Sequence, residues 1–191
     1  MATGLLAVGS LVTAIITKNQ LSEMRSEHRA WVSVVGTPTI ALSLTRNSKG
    51  AVRLAFNFAV TNTGKNPASV AYVNLAASDN KFPNVAWQKK VCAEPNNGLG
   101  ASIFPGATVT LFGVTWMSTT DFLIDKYGSQ FLDPRIVACV VYQDAVTHAW
   151  HHSPLALRIG DKGDRPFTLE NIPFRPSAVY VEVSPVKMRP D

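Results

Sequence analysis

Val60-Thr-Asn-Thr-Gly-Lys-Asn-Pro-Ala-Ser-Val70 (VTNTGKNPASV) admits two readings, and the choice between them decides the fold. Gly64 beside Lys65 is the dipeptide found in phosphate-binding loops, yet the same residues suit a sharp bend between two strands. A phosphate loop reads G-x-x-x-x-G-K-[ST], because backbone amides wrap the phosphates and the Ser or Thr hydroxyl reaches magnesium. Here Ala59 stands where the first glycine belongs, and Asn66 stands where the hydroxyl belongs. Pro67 follows, and the residues after it alternate like a strand instead of opening a helix. The nucleotide reading fails on every count. The stretch is therefore read as a strand-to-strand connection in which Thr61-Asn62-Thr63 closes one strand. Gly64 would supply a permissive backbone, Pro67 would prevent ladder pairing, and Lys65 would be a solvated tip residue.

The flanking sequence carries the same period. Leu54, Phe56, Phe58 and Val60 alternate with Arg53, Ala55, Asn57 and Ala59, the pattern of a half-buried strand. Ala68 to Leu75 gives the next strand. Upstream, Trp31 to Val35 and Thr39 to Leu44 are strands, with Asn47-Ser-Lys-Gly50 as a polar turn. Downstream, Phe104-Pro-Gly106 is a turn, and Thr108 to Trp116 is a strand with Val109, Leu111 and Gly113 on one side. Arg135 to Gln143 is the most apolar strand and is expected at the centre of a sheet, and Leu155 to Ile159 closes the set. Many short strands separated by turn signals imply a mainly β chain, an antiparallel immunoglobulin-like sandwich.

Two inserts interrupt that pattern. Asn84 to Glu94 has helical composition and ends at Pro95, and Ser118 to Asp133 is expected to be partly helical on the spacing of Phe122, Leu123, Tyr127 and Phe131. The second could cover a sheet edge, which sandwiches must protect. The expected organisation is an anchor helix with a polar extension over 1–29, the sandwich over 30–160, and a Pro-rich C-terminal tail over 161–191. Within the tail, Ala178 to Val183 could add a strand.

Met1 to Thr17 contains no charged side chain. A helix of that length spans about 25 Å, against roughly 30 Å of bilayer hydrocarbon, so it is a short transmembrane candidate. No Lys or Arg precedes it and no A-x-A-like site follows, which favours an uncleaved signal-anchor over a signal peptide. A stripe of small residues, Thr3, Ala7, Ser10, Ala14 and Thr17, continues through Leu21 and Met24 as a helix-association seam for a homo-oligomer. Lys18, Arg25 and Arg29 all follow the apolar run, and the positive-inside tendency would leave the domain in the cytoplasm. Glu23 and Glu27 count little in that rule.

The remaining chemistry is sparse. The net charge is +5, but the basic residues are scattered and Lys89-Lys90 is the only adjacent pair, which argues against nucleic acid. Cys92 and Cys139 could bridge or stay reduced; the apolar run Ile136 to Tyr142 around Cys139 favours a buried thiol. His148, His151 and His152 raise a metal reading centred on His148 and His152, with Asp144 as a third ligand. Solvated histidines on a hairpin arm are the plainer account. No nucleophile elbow or carboxylate pair is present, so no catalytic residue or cofactor is expected.

Four motifs together support a resemblance: Glu27-His-Arg-Ala-Trp-Val32, Asn62-Thr-Gly-Lys-Asn-Pro-Ala68, Ile103-Phe-Pro-Gly106, and Tyr142-x-Asp144 with His148 and His152 downstream. Over residues 1–159 the chain resembles uncharacterised bacterial single-pass membrane proteins with a small immunoglobulin-like β-sandwich domain. The resemblance implies the fold and attachment to the bacterial inner membrane, and it implies no activity. The function expected is that of a non-catalytic binding or accessory protein working through protein–protein contacts. The alternative is an assembly subunit whose apolar N-terminus packs against partners.

Overall fold

The computed structural model describes residues 28–79, 84–94, 100–118, 123–124, 130–132, 134–162, 167–168, 172–173 and 175–183. The long strand β4 (Val52–Asn62) organises the first sheet. Its partners on one side are three short segments in turn, β1 (Val32–Val34), β2 (Thr39–Ile40) and β3 (Thr45–Arg46). On the other side it pairs antiparallel with β7 (Thr108–Met117) over nearly its whole length. The second sheet runs β13 (Val179–Val183), β11 (Trp150–Asp161), β10 (Pro134–Asp144), β5 (Ala68–Asp79), β6 (Ala101–Ile103), again with antiparallel neighbours. The strand expected over Ala178 to Val183 is thus part of this sheet.

The alternation seen in the sequence becomes the core. Leu54, Phe56, Phe58 and Val60 of β4 point inward and meet Ile136, Ala138, Val140 and Tyr142 of β10 in one apolar cluster. β10 is the central strand, and its other face is buried as well. Val137, Cys139 and Val141 form a second, smaller core beneath the helix α1 (Val85–Ala93) with Val91 and Cys92. A strand covered on both faces reads as a continuous apolar run rather than an alternating one.

The helix begins where Asn84 accepts a hydrogen bond from the Trp87 amide at 2.9 Å, an N-cap that satisfies an otherwise orphaned donor. At the other end, the Asn74 side-chain amide reaches over from β5 and donates to the carbonyls of Val91 (3.1 Å) and Glu94 (2.6 Å). Cys92 faces β10, where it is bridged to Cys139 with Cα atoms 5.4 Å apart. The free thiol expected from the apolar setting of Cys139 is therefore corrected. Cys139 lies on the helix-facing parity of β10, and α1 brings Cys92 within bridging range.

In the second insert Leu123 and Phe131 stand on strands instead of the helical face expected of them, and the rest of that expectation, Phe122 and Tyr127 included, lies outside the described residues. The insert's described residues form two short strands, β8 (Leu123–Ile124) and β9 (Gln130–Leu132), with Leu123 opposite Phe131, and β12 (Phe167–Thr168) pairs on the far side of β9. Leu123, Tyr127 and Phe131 are four apart, a spacing that keeps one face of a strand as well as one face of a helix, so periodicity alone could not separate the two. No helix among the described residues is long and apolar enough to cross a membrane. Met1–Thr17 and the seam Thr3, Ala7, Ser10, Ala14, Thr17, Leu21 and Met24 lie outside the described residues.

Candidate functional site

Antiparallel pairing brings the start of β1, the β4–β5 connection, the β6–β7 turn and the β10–β11 turn to one end of the sandwich. This proximal end is where the chain arrives from its N-terminal segment. The described residues of all four motifs singled out in the sequence lie at or near this end, and hydrogen bonds join them.

Two buried side chains make the junction. Asn62, the last residue of β4, uses both ends of its amide. Its Oδ1 accepts from the amides of Trp31 (3.1 Å) and Gly64 (2.9 Å), and its Nδ2 donates to the carbonyls of Asn66 (2.7 Å) and Ile103 (3.0 Å). Asp144, the last residue of β10, accepts from the Ala30 amide at 2.7 Å and from the amides of Val146 (2.9 Å) and Thr147 (2.8 Å). Asn66 Nδ2 adds a longer contact of 3.2 Å to each carboxylate oxygen. A carboxylate at a strand end thus caps its own turn and holds the incoming chain.

Burial alone would raise the Asp144 pKa, but hydrogen bonds from Thr147, Ala30, Val146 and Asn66 outweigh it and hold the group at about 2. Tyr142, two residues earlier on the inward face, donates its hydroxyl to the Ala30 carbonyl at 3.4 Å, and burial raises its pKa. Thr63 N donates to the Trp31 carbonyl at 2.8 Å, and Ser153 Oγ donates to the Val32 carbonyl at 2.6 Å. Residues 30–32 are therefore strapped to both sheets at once. The Arg29 guanidinium lies 3.3 Å over the Trp31 ring, a cation–π contact at the rim.

Gly64 is required here for a reason other than the permissive torsion expected of it. Its φ is not positive; instead, a Cβ would collide with the carbonyl of Arg29 and the amide of Trp31. The glycine lets two backbones touch. Lys65 beside it is exposed at the tip of the connection.

The histidines do not converge. His148 closes the β10–β11 turn with a φ of 57°, outside the ladder. His151 pairs with Tyr142 across the strands, their rings 5.5 Å apart, whereas His152 pairs with Val141 on the other face. Burial, followed by the nearby Arg29 charge, lowers the His151 pKa. Among the described residues no group of three His, Cys, Asp or Glu side chains is placed to hold a metal ion, and Asp144 is committed to backbone amides. Sequence reasoning offered Asp144 as a metal ligand and passed over Asn62 and Asn66. The available signal was their position, since each polar residue directly ends a strand or precedes a proline.

Away from this end, β7 turns Phe112, Val114 and Trp116 outward, all exposed. Among the described residues β7 has a ladder with β4 alone, and β5 of the other sheet packs close along it at Gly113. No protein-family model matches this chain, and no curated protein or solved structure matches it either.

Proposed function

We propose that the chain is a membrane-anchored, non-catalytic binding or accessory protein whose immunoglobulin-like domain works through protein–protein contacts at the bacterial inner membrane. The strand pairing supports the immunoglobulin-like reading. β4 pairs with β7 in one sheet, and β5, β10 and β11 are successive neighbours in the other, which matches the two-sheet arrangement of that fold. The strapping of residues 30–32 supports a domain held rigidly to whatever its N-terminal segment is embedded in. The Cys92–Cys139 bridge supports placing the domain on the oxidising side, because a cytoplasmic thiol pool would keep such a pair reduced. That outweighs the cytoplasmic orientation drawn from Lys18, Arg25 and Arg29, three charges being a weak signal.

The observation that carries the binding role is the outward apolar stripe Phe112, Val114 and Trp116 on β7. Large apolar side chains grouped on one outward sheet face mark a surface for a protein partner. Affinity purification of the full chain in mild detergent, beside a Phe112→Ser/Trp116→Ser variant, tests this. A protein recovered with the native chain and lost from the variant supports the reading, and equal recovery with both overturns it. Alkaline carbonate extraction tests the anchor. Release of the chain would leave the assembly-subunit alternative, in which the apolar N-terminus packs against protein.

A further inference from the structure

The two most exposed large apolar side chains among the described residues are Phe104 at 65% and Val146 at 64%, and both lie at the proximal end. Trp31, exposed at 44%, joins them there. Large apolar side chains grouped at one end of a domain mark a candidate interaction surface. The tips are also stiff. Phe104 opens a turn closed by the Ala107 amide donating to its carbonyl at 3.0 Å, and the Gly106 amide ties that turn to the Asn62 carbonyl at 2.8 Å. Val146 is held by its own amide on buried Asp144. Side chains presented on rigid turns lose little freedom when they are covered.

The exposed charge on the described turns at this end is cationic. The segments 28–31, 63–67, 104–107 and 145–149 contain Arg29 and Lys65 and no Asp or Glu. Among the described residues Asp144 is the acid at this end, and it is fully buried and committed to amides; in the sequence Glu27 directly precedes the first segment. The β10–β5–β6 order sets the Val146 and Phe104 turns about 10 Å apart at the usual strand spacing. Lys65 and Trp31 lie toward the other sheet. That layout is a broad end surface with apolar tips and a cationic rim, which fits a lipid headgroup layer better than a single pocketed ligand.

Resting on the anchored reading above, we infer that the proximal end lies on the bilayer surface. Phe104 and Val146 enter the headgroup–acyl boundary, and Lys65 and Arg29 face anionic headgroups. The partner is the anionic lipid surface itself. The argument for it is continuity: the chain leaves this end toward the uncharged run Met1–Thr17, so an anchored segment would bring this end, not the β7 face, to the membrane.

The test uses the full chain reconstituted into vesicles of phosphatidylcholine and phosphatidylglycerol with brominated acyl chains. Phe104→Trp is compared with Phe112→Trp on the exposed sheet face, and both sites tolerate a larger ring because they face outward. The emission added by the tryptophan at position 104 is expected to fall at least about twofold in brominated lipid, and that at position 112 to stay unchanged. Lys65→Glu in the Phe104→Trp background should reduce the quenching, and so should omission of phosphatidylglycerol. Equal quenching at both positions, or none at 104 in a chain that floats with the vesicles, overturns the inference while leaving the anchor intact. A chain that does not float with the vesicles overturns both. Quenching at 104 that ignores charge and lipid composition removes the anionic surface as the partner.

Discussion

The sandwich fastens two irregular attachments, and it does so by different chemistry. At the proximal end, residues 30–32 are held by Asn62 and Asp144, neutral and ionic hydrogen bonds to backbone amides. On the outer face of β10, α1 is held by a small apolar core and the Cys92–Cys139 bridge. The first fastening depends on a carboxylate remaining ionised, and the second on a sulfur pair remaining oxidised. Acid and reductant should therefore loosen different parts of one domain, and that separation can be broken experimentally.

The largest effect is expected from the bridge. Closing a loop across a sequence separation of 47 is worth about 4 kcal/mol in the chain-entropy account. A Cys92→Ala/Cys139→Ala variant should lose stability on that scale in urea unfolding at neutral pH. Its amide exchange should rise over Val85–Ala93 and stay unchanged over residues 30–32. Equal exchange increases in both regions would show that the two fastenings are one cooperative unit.

Next comes Asp144→Asn, expected to cost about 3 kcal/mol, because the new amide would oppose one of the donors now satisfied by the carboxylate. The sign of the pH dependence follows from the depressed folded pKa. The unfolded chain takes up the proton near 3.8 and the folded chain only near 2. The stabilisation is thus complete above pH 4 and is lost as pH falls toward 2, a difference of about 2 kcal/mol. Native protein should show that acid-dependent loss with exchange rising first around Ala30, and the Asn variant should lack it. An unchanged acid profile in the variant would assign the loss to other groups.

The smallest of the three is Gly64→Ala, expected to cost about 2 kcal/mol through displacement of the Arg29–Trp31 backbone. The change leaves every hydrogen-bonding side chain in place, so it sharpens the comparison to a steric one. Exchange should rise at the amides of Ala30 and Trp31 and not within α1. A neutral outcome in urea would mean that the connection can move aside, and the fastening would then rest on Asp144 and Asn62 alone.

The opening stretch shows where sequence reading succeeded and where it failed. Rejecting a phosphate loop needed only the missing glycine, the missing hydroxyl and Pro67, all local features. Assigning Gly64 to a permissive torsion was the wrong reason for a correct turn. The cause is a backbone met from residues 29–31, and nothing in the torsion preferences of a glycine reports what packs against it. Cys139 failed similarly, because the apolar run of β10 describes both of its faces and not which residue of the insert lies over one of them. Leu123 and Phe131 fall on strands rather than on a helix because their spacing suits two periods equally. Asp144 was noticed for its carboxylate and given the wrong partners.

The sequence alone determined the mainly β class, the inward face of β4, the central place of β10, and a helix within Asn84 to Glu94, because period and composition are properties of neighbouring residues. Only the tertiary structure decided that Asp144 meets Ala30 across a separation of 114 residues, that Gly64 is pressed against the incoming chain, and that Cys139 has Cys92 above it. Those contacts join segments whose sequences carry no record of each other. They exist because burying two faces of β10 and closing one end of the sandwich brings them within bonding distance.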